Sequence, residues 1–284
     1  YKVSYKNDSY YGPGPLAAYL KKNFPEIIEA TPYLHRRTAK LTINHNGFFA
    51  QGSYVDQAFF NIFSFSLLKG DQKSLLTDPD SIVITEELAD KLFGSDDPIG
   101  KVIQFNDGYV DKTKSLKVTG ILKNPPANTH LKKEGENKFE FLIPIQLAKR
   151  WVQTAWRVNM MESYVLLDSR ANKIELDRKI AGVVKKHDKE ENRELSLVSL
   201  KNAYLYAFDG SGRIQNIILF SFVALFILII ACINYINLST IRSYGWARRI
   251  AIQKVLGASR KMLIKQFLGE SILFTYISMF VALI

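Results

Sequence analysis

The chain has 284 residues, 47% of them hydrophobic, and a formal net charge of +11, which allows one large domain or two modest ones. The charge is local: residues 242–265 hold seven Lys or Arg and no Asp or Glu, which excludes the diffuse basic footprint of a nucleic-acid binder. A single cysteine, Cys232, excludes an intrachain disulfide framework. In chain order, residues 1–7 are polar and strand-like rather than a signal peptide. Pro15 opens a short helix with Leu16, Tyr19, Leu20 and Phe24 on one face. The aromatic run Phe59-Phe-Asn-Ile-Phe-Ser-Phe65 is expected to be core, because aromatics dominate buried area; a binding surface is the alternative. Residues 81–85 read as a strand, after which Thr85 caps a helix, Glu86 and Glu87 favour its first turn and Gly94 ends it. Further strands are expected at 117–122, 163–167 and 195–200, with one amphipathic helix carrying Leu176, Ile180, Val183 and Val184 between the last two. Asn124-Pro-Pro126 and residues 132–138 read as loops. This irregular alternation predicts an α+β domain over 1–213.

Residues 214–241 carry no charge in 28 positions, which at about 1.5 Å per residue spans about 42 Å against a hydrocarbon core of roughly 30 Å. They are expected to form a transmembrane helix, with Asn234 and Asn237 near its second end satisfied by headgroups or neighbouring helices. The basic cluster follows the helix, so 242–265 is placed in the cytoplasm and 1–213 outside the inner membrane. Residues 271–284 are apolar again, and 266–284 is read as the start of a further transmembrane helix.

Signals for chemistry are mostly negative. His35, His45, His130 and His187 are scattered without metal-binding spacing and read as surface or loop residues. Ser81 and Ser211 lack a nucleophile-elbow context. The stretch Gly94-Ser-Asp-Asp-Pro-Ile-Gly-Lys-Val102 fails as a phosphate loop, since five residues separate the glycines and Val102 stands where a Ser or Thr would hold magnesium. It reads instead as a turn from helix to strand. In the cytoplasmic segment, one helix over 248–267 would put Lys254, Lys261 and Lys265 on one face, with Ile252, Val255, Leu256, Leu263 and Phe267 opposite and Gly257 marking a bend. Two readings stay open there: an interfacial anchor that only sets topology, or a coupling element docking on a cytoplasmic partner.

Several segments in order, Ile229-Ile-Ala-Cys-Ile-Asn-Tyr-Ile-Asn-Leu-Ser-Thr240, Lys254-Val-Leu-Gly-Ala-Ser-Arg-Lys261 and Gln266-Phe-Leu-Gly-Glu-Ser271, resemble FtsX-like ABC transporter permeases with a MacB-like periplasmic core domain. So do Phe59-Phe-Asn-Ile-Phe-Ser-Phe-Ser-Leu-Leu-Lys-Gly-Asp71, Ser81-Ile-Val-Ile-Thr-Glu86, Asp97-Pro-Ile-Gly-Lys101, Lys117-Val-Thr-Gly-Ile-Leu122 and Pro125-Pro-Ala-Asn128. The resemblance implies a transmembrane helix before Tyr1, at least one more after Ile284, and a periplasmic domain of two lobes, one built from both ends of its sequence. It implies a permease without its own ATPase site, working with a cytoplasmic ABC ATPase that holds ATP and magnesium. Membrane lipids, a second permease half or homodimer partner and a periplasmic adaptor are the other partners implied. The coupling residues carried over are Ile250, Ile252, Lys254, Val255, Leu256, Gly257, Ala258 and Ser259. Where the family motif reads Glu-Ile-Gly-Ile-Arg-Lys, this chain has Arg249-Ile-Ala-Ile-Gln-Lys254. The acidic position is lost, and Ala251 and Gln253 replace the glycine and the first basic residue. Export or mechanotransmission is the implied function; the alternatives are a membrane-anchored periplasmic sensor and a tethered enzyme for which no constellation is present.

Overall fold

The computed structural model describes residues 1–6, 11–108, 113–126, 129, 131, 139–201 and 214–282. His130, Ser211, the 132–138 loop, the end of the 125–128 motif and the 208–213 flank lie outside them, as do the side chains of Arg242, Arg248 and Arg249. Two compact units result, Tyr1–Gln215 and Asn216–Ile284.

The first unit is α+β and is organised by one long strand, β3 (Ile27–Ile43). Towards its C-terminal end β3 pairs with β4 (Asn46–Val55), and β4 runs parallel to β9 (Phe141–Pro144). From there the ladder passes through β6 (Ser81–Thr85), β8 (Lys114–Leu122) and β7 (Val102–Asn106), and β7 returns to β3 through Lys40–Thr42 positions paired with 104–106. Six strands thus close a ring, which leaves none of them a free edge along the closure. Alternate residues, among them Ala39, Leu41, Ile82, Ile84, Ile103, Phe105, Leu116, Val118 and Phe141, pack in one buried cluster; of the residues between them Lys40, Gln104 and Lys117 are exposed, whereas Val83 and Leu142 enter a second buried cluster. Gly52 is required here, because the Phe141 ring lies 2.1 Å from where a Cβ would sit.

The first half of β3 belongs to an open wing. It pairs with β10 (Asn159–Leu167), which also pairs with β1 (Lys2–Tyr5), and β1 pairs with β11 (Leu195–Val198). A register shift between Leu34 and Arg37 separates the two halves of β3. The wing's core comes from both ends of the domain: Val3, Tyr5, Leu16, Leu20 and Ile27 meet Val165, Leu176, Ile180, Val184 and Leu197. Pro15 precedes α1 (Leu16–Asn23) as its cap residue, and Leu16 and Leu20 are buried. The single helix expected over Leu176 to Val184 is two, α5 (Lys173–Ile180) and α6 (Val183–His187). Ala181 and Gly182 break it, and the Ala181 carbonyl accepts the Leu195 N–H instead of continuing the helix. All four apolar residues are buried nonetheless.

The remaining elements among the described residues of the first unit are β2 (Gly12–Pro13), β5 (Leu67–Gly70), α2 (Phe59–Ile62), α3 (Glu86–Phe93), α4 (Arg150–Thr154) and a 3-10 helix (Ile145–Leu147). Phe59, Phe60 and Phe63 are buried with Tyr33, Phe139 and Tyr164, so the aromatic run is core. Thr85 caps α3 by accepting the Leu88 N–H, and Gly94 ends it at φ 60°. β8 and β10 begin earlier than the sequence pattern suggested, and β11 ends at Val198.

The second unit is two helices, α7 (Ile214–Val255) and α8 (Arg260–Ala282). α7 runs unbroken through the boundary expected at 241. Its stretch Ile214–Leu238 is long and apolar enough to cross a membrane, and none of it is buried by protein.

Candidate functional site

Of the residues singled out for coupling, Ile250, Ile252, Lys254 and Val255 end α7, and Leu256, Gly257, Ala258 and Ser259 form the break before α8. Gly257, at φ 89°, donates its N–H to the Lys254 carbonyl, and the Ala258 N–H reaches the Gln253 carbonyl at 2.9 Å. These two bonds and the left-handed residue form a Schellman cap, which satisfies carbonyls that a helix end leaves open. Two residues on, Ser259 Oγ accepts the Met262 N–H and starts α8. The segment Leu256-Gly-Ala-Ser259 is therefore a stop signal followed at once by a start signal. The continuous helix over 248–267 does not exist, and the shared lysine face fails with it: Lys254 lies before the break, Lys261 and Lys265 after it. Gly257 as the point of the bend holds.

The cap thrusts two apolar residues outward, leaving Val255 87% and Leu256 80% exposed. Ile252 and Lys254 are exposed as well, Ile250 and Ala258 half-buried. Leu263 is the buried residue beneath, and a recess of about 280 Å³ opens between Gln253, Gly257, Met262 and Gln266. Beside it Trp246 stacks on Phe267 with centroids 4.8 Å apart. Exposed apolar surface next to a recess suits either of the two readings, an interfacial anchor or a protein contact, and not a turn left in water.

Residues 94–102 have the geometry of a turn. Asp97 Oδ1 accepts the Ile99 N–H, Gly100 sits at φ 81°, and Lys101 Nζ is held by Asp96 at 2.7 Å, so 94–102 is a tied-down turn. Ser81 Oγ donates to the Asp78 carbonyl. His45 lies in the β3–β4 turn at φ 69° and His187 stacks on Trp156 at 3.9 Å.

His35 departs from the surface-or-loop expectation. It sits on β3, with Nε2 3.0 Å from Glu162 Oε1. The same oxygen accepts from the buried Lys2 Nζ at 2.5 Å, and Tyr164 donates its hydroxyl to Oε2. Burial alone would raise the Glu162 pKa, but His35 and Lys2 outweigh it and bring it down to about 2. Burial lowers Lys2 and raises Tyr164. Burial pushes Asp56 up to about 6 despite hydrogen bonds from Thr31 and the 58 and 59 amides and the charge of Lys21. No sequence signal marks this network, since Lys2 and Glu162 are 160 residues apart.

Known proteins resemble the chain over most of its length. The family model described as MacB-like periplasmic core domain matches residues 3–183, and that described as FtsX-like permease C-terminal matches 221–284. The macrolide export ATP-binding/permease protein MacB of Neisseria gonorrhoeae is 23% identical over 255 residues, covering 87% of this chain, and that of Neisseria meningitidis is 22% identical. The chain spans 36% of the length of these relatives. A crystallised domain of a putative permease protein from Porphyromonas gingivalis shares the fold, with a TM-score of 0.58 at 21% identity over 71% of this chain and 93% of that one.

Proposed function

We propose a function for a chain that belongs to the FtsX-like permeases carrying a MacB-like periplasmic core domain: it couples ATP hydrolysis in the cytoplasm to export or mechanical work in the periplasm. The observation that carries this reading is the capped break at Gly257, which holds Val255 and Leu256 out of their own fold. An ABC ATPase, binding ATP and magnesium on its own residues, docks against Ile250, Ile252, Lys254 and the 255–259 turn. Nucleotide-driven closure moves α7 and α8, which span the inner membrane among lipids and a second permease half. The periplasmic unit converts that movement into a change between two lobes, a role proposed for the wing and the closed ring, and acts on a substrate or an adaptor. The relatives' name makes export of a macrolide-like compound the first activity to assay.

Burying an apolar side chain at a partner surface contributes roughly 1.5–3 kcal/mol, about tenfold or more in association. Leu256→Asp is expected to weaken recovery of the ATPase in co-purification by about tenfold and to lower transport, with membrane insertion unchanged. Equal recovery and equal transport would leave the segment as an anchor only.

A further inference from the structure

We propose that the outer wall of the closed ring is a binding site for a short neutral saccharide. The wall is formed by the residues that alternate with the ring's core. Thr38 and Lys40 on β3 flank the buried Ala39, Phe49 on β4 precedes the buried Ala50, and Gln104 and Asn106 on β7 flank the buried Phe105. Together with Asp107 they line a groove of about 510 Å³, within the roughly 300–1,000 Å³ range of small-molecule sites.

Three features select the ligand. Phe49 leaves 67% of its surface open, offering a flat apolar face beside polar groups. The amides and hydroxyls present donors and acceptors together, as a polyol demands. Among the described residues of the lining, Lys40 and Asp107 carry one charge of each sign, so the lining itself selects neither an anion nor a cation. The polar groups are also held in place. Gln104 bonds Ser115 Oγ at 2.9 Å, Asn106 Oδ1 accepts the Gly108 N–H at 2.8 Å, and Asp107 accepts from the Tyr54 hydroxyl. Such ordering lowers the entropy cost of binding. A sugar ring would lay its C–H face on Phe49 and turn its hydroxyls to Gln104, Asn106 and Lys40.

The test is saturation-transfer NMR on the whole chain in an amine-oxide detergent, which carries no sugar headgroup to compete. The probes are a trisaccharide of β-1,4-linked N-acetylglucosamine and maltotriose; the preferred one separates an amino-sugar glycan from a plain hexose chain. Transfer to at least one is expected, lost in Phe49→Ala and restored in Phe49→Trp, with all three proteins melting alike. No transfer to either probe, or equal transfer to Phe49→Ala, would show the wall to be solvated surface and overturn the proposal.

Discussion

Phe59, Phe105 and Phe141 in the first unit are almost wholly buried, whereas Phe220, Phe226 and Phe280 in the second keep 63–68% of their surface open. The residue type is the same; the solvent it was selected for is not. A sheet that closes on itself makes its own apolar interior, so Phe105 needs nothing from outside. A lone helix with apolar residues on every side leaves them to lipid or other helices. Burial thus measures self-sufficiency, and the two units differ in it almost completely.

Topology tests that difference most sharply, because the outcome is all or none. In a Cys232→Ser background, cysteine introduced at the exposed Ser74 should react with an impermeant maleimide in intact cells, and cysteine at Ser259 should not. The reverse pattern would invert the molecule.

Next in size is the core itself. Phe105→Ala should destabilise the first unit by about 3–5 kcal/mol. Phe226→Ala creates no cavity and should stay within roughly 0.5 kcal/mol, both read by denaturant unfolding in detergent. Equal losses would break the comparison.

The titration of the first unit follows, with a sign that can be worked out. Asp56 is raised from 3.8 to about 6, so its contribution is present below pH 4 and lost as pH rises through 6. That amounts to at most about 3 kcal/mol, and Asp56→Asn should flatten stability between pH 4 and 6. Glu162, lowered from 4.5 to about 2, acts in the opposite sense and withdraws its contribution only as pH falls below 4.5. A stability that climbs from pH 4 to 6 in the wild type would contradict the Asp56 assignment.

The smallest effect belongs to the second unit. Gly257→Ala places a Cβ at φ 89° and should cost about 1–2 kcal/mol of helix-end stability, seen as fraying of 254–258 in amide exchange. Unchanged protection would mean that the turn is held by something other than its cap.

How much of this was legible followed the range of the interaction. Thr85, Gly94 and Gly257 act on amides and carbonyls a few residues away, and the sequence pattern located all three. The uncharged run of α7 was equally local. The ring was not legible, because β4 meets β9 about 90 residues away and β3 meets β7 more than 60 away, and nothing in either strand names its partner. The Lys2, His35 and Glu162 contact was hidden for the same reason. At the candidate site the residues were read from family likeness, but the lysine face was lost. Helical periodicity was carried across Gly257, where the backbone stops obeying it.

β3 has a mechanical consequence. Among the described strands it alone runs through both the wing and the ring, in register with β10 at one end and with β4 and β7 at the other. Such a strand is a shaft shared by two assemblies: a pull along it loads each ladder in shear, with all bonds of a ladder sharing the force. A torque has an easier outlet at the register shift between Leu34 and Arg37, where regular pairing is interrupted. Stiff to tension and yielding to twist, β3 would let the two assemblies rotate against each other while holding their separation constant.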